Sequence, residues 1–269
     1  VKTVIISGGT SGMGRETALR RLDRGDNVIV IGSSEAKGRA LVEQVSNPNL
    51  HFLRADLSSV AEVERVVREV SDRHESVDAL ALFANRVNAE RVETADGLEA
   101  TFALYYLSRY LLSHRLRPLL DASAHPVIVS VAGVGVTAGR VHWEDPQLTA
   151  KYGQVRAQLQ AGRANDLLGV AFAEEGGGRA RYVLYHPGFT RSGLDGASNP
   201  VVRGVIKVAA RLFARSVAES VRPVVDWIDR PPTAPLTAVD RGRPVGTALR
   251  TLDSADAARL ARYTETLVQ

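Results

Sequence analysis

The chain has 269 residues, 45% of them hydrophobic and 24% charged, a composition that supports a large buried core and leaves little scope for disorder. It contains no cysteine, which excludes disulfide frameworks, thiolate nucleophiles and cysteine-ligated metal sites, so any chemistry must use oxygen and nitrogen groups. The net charge of +4 rests on scattered basic residues, with no basic run interleaved with aromatics, so nucleic acid is not an expected partner.

Short β-branched runs alternate with helical spacing along the first two-thirds of the chain. The predicted strands are Thr3 to Ile6, Asn27 to Ile31, Leu50 to Arg54, Ala79 to Phe83, Val127 to Val131 and Ala180 to Leu184. Helical patterns at about Met13 to Arg24, Glu35 to Val45, Val60 to His74, Gly97 to Leu120 and Tyr152 to Ala173 are long enough to serve as crossovers. After residue 190 comes an amphipathic basic stretch from Val201 to Arg215, then a helical segment ending near Ile228 and stopped by Pro231-Pro232. An extended piece at Leu236 to Val239, a turn at Asp240 to Gly242 and a terminal helix from Ser254 to Leu267 complete the chain. This pattern predicts an α/β fold: one Rossmann-like domain over residues 1–269, a doubly wound parallel sheet of about seven strands with helices on both faces, and a substrate lid at about 190–232. Arg203, Lys207, Arg211 and Arg215 recur at spacings of four, which fits the wet side of a packed helix better than a membrane-surface helix. No apolar run reaches the roughly 18 to 20 residues that span a bilayer, and the chain opens on a strand rather than a signal peptide, so the expectation is a cytoplasmic protein.

The first strand leads into Ser7-Gly8-Gly9-Thr10-Ser11-Gly12-Met13-Gly14-Arg15 and then a helix, the order that dinucleotide sites require. Gly8 permits the sharp turn, Gly12 lets the backbone approach a pyrophosphate, and Gly14 lets helix and strand pack closely. A glycine-rich turn without a ligand is the alternative. A carboxylate at the end of the second strand would hold the ribose of NAD, but here Ser33 and Ser34 stand before Glu35. A 2′-phosphate would meet no repulsion there, and Ser33, Ser34, Arg15 and Lys37 are placed to contact it, so NADP(H) is favoured over NAD(H). Ala55-Asp56-Leu57 after the third strand resembles the adenine-contacting Asp-Leu of the short-chain dehydrogenase/reductase family, and the alternative is that Asp56 caps the next helix.

The G-x-x-x-G-x-G spacing resembles that of the short-chain dehydrogenase/reductase family, and other segments resemble its retinol-dehydrogenase-like branch. They are Thr94-Ala95-Asp96-Gly97-Leu98-Glu99 with Phe102, Val127-Ile128-Val129-Ser130-Val131-Ala132-Gly133, and His186-Pro187-Gly188-Phe189-Thr190-Arg191-Ser192. The resemblance implies a fold of this kind, a nicotinamide dinucleotide, a small-molecule substrate, and a homodimer through the fourth and fifth helices, although the branch includes monomers. It implies that Pro187, Gly188, Thr190 and Ser192 hold the nicotinamide end, that His186 supports their loop, and that Ala84 and Asn85 line the cofactor after the fourth strand.

The resemblance also implies a catalytic set: an asparagine on the fourth helix, a serine, and a tyrosine and lysine spaced Y-x-x-x-K on the fifth. Ser130 fits the serine. Arg156-Ala157-Gln158-Leu159-Gln160-Ala161-Gly162 puts Gln158 at the tyrosine and Gly162 at the lysine, the asparagine falls on Tyr105, and the N-N-A-G segment has become Leu82-Phe83-Ala84-Asn85. Glutamine has no proton to give near neutral pH, and general acid–base help is worth about 10² to 10⁴ in rate. Candidate replacements are Tyr105, which stands at a site-facing position, and His142 on the loop before the fifth helix. Tyr152 and Arg156 also form a Y-x-x-x-R pair, but Tyr152 is rotated roughly 240° from Gln158 on a regular helix. Two functions follow: a divergent NADP(H)-binding enzyme using non-standard proton chemistry, for hydride transfer or for a redox-neutral cyclisation, dehydration or isomerisation; or an inactive dinucleotide-binding pseudoenzyme with a regulatory or scaffolding role.

Overall fold

The computed structural model describes residues 1–188 and 216–268. Its strands are β1 (Thr3–Ser7), β2 (Asn27–Gly32), β3 (Leu50–Arg54), β4 (Ala79–Leu82), β5 (Val127–Val131), β6 (Arg181–His186), β7 (Leu236–Asp240) and the two-residue β8 (Arg243–Pro244). They form one sheet in the order β3-β2-β1-β4-β5-β6-β7-β8, parallel from β3 through β7 and antiparallel only at β8. The prediction of about seven strands therefore gains one short strand, which the turn at Asp240 to Gly242 folds back onto β7.

Strands such as Thr3–Ser7 and Asn27–Gly32 are apolar at successive positions because both faces are covered. Ile5, Ile29, Leu80, Ile128 and Leu184 face one layer, which holds α3 (Val60–Arg73), α7 (Gln154–Glu175) and the segments between β4 and β5. Val4, Ile6, Val28, Val129 and Val183 face the other, against α1 (Gly12–Leu22), α2 (Glu35–Val45) and α8 (Val217–Asp229). The chain adds β2 and β3 on one side of β1 and then returns to place β4 on the other. That reversal opens a crevice beyond the carboxyl ends of β1 and β4, where open α/β sheets bind ligands.

The single helical pattern expected over Gly97 to Leu120 comes in pieces: α4 (Ala100–Phe102), a π-helical segment (Ala103–Leu107), α5 (Ser108–Arg115) and α6 (Arg117–Ala122). Pro118 explains the last break, since its ring suits a first turn and not a helix interior. The π segment is held across the helix pair, where Asn165 Nδ2 on α7 donates to the Tyr105 carbonyl at 2.7 Å. The second half of the predicted lid falls within the described residues. Residues 217–229 form α8, which opens on a capping box of Ser216 and Glu219 and buries Val221, Val224 and Ile228 with Met13 and Leu22 of α1. Buried Arg21 fastens the two helices by pairing with Asp26 and with Asp229. The rest of the lid, with the row from Arg203 to Arg215, lies outside the described residues. Among the described residues no helix is long and apolar enough to cross a membrane. The terminal helix is α9 (Ser254–Leu267).

On α7, Asp166 is buried against Arg163, 2.6 Å from its guanidinium, and its other oxygen has no hydrogen-bond partner among the described residues. Burial outweighs Arg163 and pushes the carboxyl up to about 7. Because the unfolded acid ionises near 4, its contribution to stability is fully present below that value and is lost as pH rises toward 7. The urea midpoint of the wild type should therefore fall further between pH 4 and pH 7.5 than that of Asp166→Asn; parallel declines would show that burial does not hold this carboxyl up.

Candidate functional site

A cleft of about 550 Å³ lies at the β1/β4 reversal. Gly8, Thr10, Ser11, Gly12, Met13 and Gly14 line it from the β1–α1 turn. Ser33, Ser34 and Lys37 line it from the β2–α2 connection, Asp56 and Leu57 from beyond β3, Ala84 and Asn85 from beyond β4, and Pro187 and Gly188 from beyond β6. Residues far apart in sequence thus line one cleft. Thr190 and Ser192 lie outside the described residues.

The turn needs its glycines. Gly8 has φ +71°, and a Cβ there would stand 2.8 Å from the Ala84 nitrogen. A Cβ on Gly14 would stand 2.4 Å from the Gly8 carbonyl oxygen, so nothing larger lets α1 sit this close to β1. The α1 N-terminus is also bare: Ser11 makes no side-chain cap and the first turn holds no acid, whereas α2 and α3 are capped by Ser34 and Ser59 and carry Glu35 and Glu62. Uncommitted N–H groups and an unopposed helix dipole fit the pyrophosphate of a dinucleotide.

At the β2 end, Ser33 is exposed and Ser34 Oγ accepts the Lys37 N–H at 3.3 Å. Glu35 pairs with Arg39 at 2.7 Å. Arg15, expected beside a 2′-phosphate, does not line the cleft; its Nη2 donates to Gln44 Oε1 at 2.8 Å. Asp56 is not the α3 cap, which is Ser59. It accepts from the Ser58 N–H at 3.0 Å and from Ser58 Oγ at 2.7 Å. Burial works to raise its carboxyl, but the Ser58 bonds and Arg86, 3.7 Å away, outweigh it and hold the carboxyl below its ordinary range.

The opposite wall differs more from expectation. Ser130 has no exposed surface, and its Oγ accepts from Arg109 Nη1 at 2.8 Å. Arg109 also donates to the carbonyls of Val131 at 3.0 Å and Ala84 at 3.3 Å, so it ties the ends of β4 and β5 together. Tyr105 does line the cleft, packed on Ala132 and Ala161, with Arg109 Cζ 4.7 Å from the centre of its ring. Burial raises the Tyr105 phenol above its ordinary value, with Arg109 acting in the opposite sense.

Helix α7 carries neither tyrosine nor lysine. Gln158 is engaged in a reciprocal amide pair with Asn85, at 3.0 Å and 3.3 Å, and donates to the Arg86 carbonyl at 2.9 Å. Gly162 faces open space, with nothing within 4 Å of a Cβ built there. His142 is not brought to the cleft. It lies in a separate depression with the Arg156 guanidinium 3.0 Å from its ring nitrogens, and burial, then Arg156 and Arg140, lower its pKa. Tyr152 donates to the Asn88 carbonyl at 2.8 Å, so the Tyr152–Arg156 pair does not act together. His186 lines the cleft and holds Asp240 of β7 at 2.8 Å, while the Arg241 N–H bonds the His186 carbonyl at 2.7 Å, so the β7–β8 turn clasps the His-Pro-Gly loop.

Sequence reasoning missed Arg86, which lines the cleft, and Arg109, which stands behind it. The signal for Arg109 was present: it is a lone cation in the otherwise apolar and hydroxyl-bearing run from Phe102 to Leu112.

Residues 2–145 match the family model for short chain dehydrogenase, a stretch that holds the glycine turn and Ser130 and ends before α7. Mouse retinol dehydrogenase 13 is 32% identical over 148 residues, which is 54% of this chain and 44% of that protein; its human counterpart is matched over 60% of its length. DnrU of Streptomyces sp. (strain C5), a proposed daunorubicin C-13 ketoreductase, is 28% identical over 246 residues, 88% of this chain and 80% of its own. Among solved structures, an uncharacterized protein from Mycobacterium paratuberculosis superposes with a TM-score of 0.75 at 21% identity, covering 99% of this chain and 93% of that one. The family model alone spans more than half of the sequence, and the chain belongs to the short-chain dehydrogenase family of nicotinamide-dinucleotide oxidoreductases.

Proposed function

We propose that the chain binds NADP(H) in the β1/β4 cleft and interconverts a small ketone and its alcohol, with the proton handled outside α7. The observation that carries this reading is the pairing of a complete phosphate turn with a β2 end free of carboxylates, where Ser33, Ser34 and Lys37 face the cleft. Bound there, the dinucleotide supplies hydride chemistry at its nicotinamide. The bare α1 N-terminus holds the pyrophosphate, Asp56 and Leu57 face the adenine, and the loop at Pro187 and Gly188 closes the nicotinamide end. The names of the relatives, a retinol dehydrogenase and a ketoreductase, support an alcohol–ketone pair over a redox-neutral isomerisation or dehydration.

A second reading, dinucleotide binding without turnover, is favoured by the Gln158–Asn85 pair and by the complete burial of Ser130. Both readings require the cofactor. In a fluorescence titration NADPH should bind at least tenfold more tightly than NADH. Equal affinities would remove the assignment of the β2 end, and no binding of either would sink both readings.

A further inference from the structure

We propose that Tyr105 and Arg109 form the proton-donating pair of this active site, with Tyr105 giving its proton to the substrate oxygen and Arg109 as the positioning residue that stabilises the tyrosinate. The inference deepens the ketone–alcohol reading and rests on it. Three observations converge on the pair.

The first is placement. Tyr105 is the one tyrosine among the described residues that line the cleft, and it does so from the π-helical segment, a type of irregularity frequent at functional sites. Its backbone is pinned by Asn165 of α7, and its ring lies between Ala132, Ala161 and the Arg109 guanidinium. No hydrogen bond within the described residues commits its hydroxyl.

The second is spacing. Arg109 follows Tyr105 by four residues, so the two lie one above the other on the same face. On α7 the residues at the same spacing, Gln158 and Gly162, offer neither an acid nor a charge.

The third is an unbalanced charge. Arg109 is fully buried, and no carboxylate pairs with it among the described residues; its partners are two carbonyls, Ser130 Oγ and the Tyr105 ring. Its Nε is buried without a hydrogen-bond partner among the described residues. A buried cation without a counter-ion is costly. A tyrosinate formed beside it would be that counter-ion, so the cost becomes a bias toward proton release from Tyr105. The other groups facing the pair are Asp166 on α7, whose charge opposes ionisation of Tyr105, and Tyr182 on β6.

In the reduction, the carbonyl carbon would take up a hydride, with its electron pair, from the reduced dinucleotide held at the glycine turn. The Tyr105 O–H bond breaks and its proton goes to the carbonyl oxygen. The tyrosinate regains a proton from water, so ketone, reduced dinucleotide and one proton give alcohol and oxidised dinucleotide.

The test uses protein labelled at tyrosine Cζ with carbon-13, in which Tyr105 is the resonance missing from Tyr105→Phe. Without cofactor, that resonance should titrate at least one pH unit lower in wild type than in Arg109→Gln, with Arg109→Lys close to wild type. With NADPH and a panel of alkyl and aryl ketones, Tyr105→Phe should lower kcat at least 100-fold while NADPH affinity stays within about twofold. The high-pH limb of kcat should move up in Arg109→Gln as the resonance does. If Arg109→Gln fails to fold, Arg109→Lys and Tyr105→Phe still decide. A Tyr105 midpoint indifferent to Arg109, full kcat in Tyr105→Phe, or NADPH-bound wild type that reduces no ketone would each overturn the inference. Failure to bind NADPH would instead remove the underlying reading and leave the resonance titration to stand alone.

Discussion

The double substitution Gln158→Tyr with Gly162→Lys should raise NADPH-dependent reduction of generic ketones by about 10², the lower end of what general acid catalysis contributes. Space is available. Nothing lies within 4 Å of a Cβ at position 162, so a lysine stem enters without displacing a neighbour, and losing a helix-interior glycine stabilises α7 by up to about 1 kcal/mol. The two positions are one turn apart, so the ammonium lies beside the introduced phenol and lowers its pKa from about 10. Removing Gln158 breaks its pair with Asn85 and frees the Arg86 carbonyl, but these bonds are solvent-exposed and water replaces them cheaply. Each single substitution should gain little, because a phenol without a cation keeps its ordinary pKa and a cation without a phenol has no proton to tune. The acid then approaches from α7, whereas Tyr105 approaches from the π segment, so ketones unsuited to Tyr105 gain most. Steady-state NADPH oxidation with circular dichroism as the control for folding measures this. A folded double variant that binds NADPH and gains nothing would mean that the wall opposite α7 no longer admits a carbonyl in reach of that helix.

The strands and the cleft were legible because their signals are local. Continuous β-branched runs at Thr3–Ser7 and Asn27–Gly32 require burial on both faces, and the glycines at 8, 12 and 14 require one particular turn. What escaped was decided by contacts between distant residues. Arg15 reads as a phosphate ligand from its place beside the turn, yet Gln44, 29 residues on, takes its guanidinium. His142 reads as a loop histidine near a pocket, yet Arg156 draws it into another depression. Residues 217–229 read as part of a lid because the strand–helix alternation had ended, but their apolar stripe at Val221, Val224 and Ile228 belongs to α1 and the sheet. Ser130 was found by its motif, while its burial under Arg109 depends on which face of α5 meets β5, and strand and helix periods alone do not fix that.

Ser33→Asp should invert the proposed preference for NADPH over NADH. Ser33 is exposed, lines the cleft and follows the last residue of β2, so the substitution leaves the sheet and the phosphate turn in place. With NADPH bound as proposed, a carboxylate there would face its 2′-phosphate. Two unit charges 4 Å apart repel by about 1 kcal/mol in bulk water and about 4 kcal/mol near a protein surface, and a phosphate monoester carries more than one charge. Even at the solvent-screened end of that range the cost is about tenfold or more in affinity, because 1.4 kcal/mol is a factor of ten. For NADH the same carboxylate accepts hydrogen bonds from the free ribose hydroxyl, so affinity holds or improves. Lys37 stays in place and blunts the repulsion, which predicts that adding Lys37→Ala widens the gap further. Raising the salt from about 0.05 to 0.5 M should narrow it, as the Debye length falls below the separation of the charges that are not in contact. Parallel titrations of both cofactors into wild type and variant give the ratio directly. An unchanged NADPH affinity would mean that the 2′-phosphate lies elsewhere, and that the absence of a carboxylate after β2 has no bearing on cofactor choice.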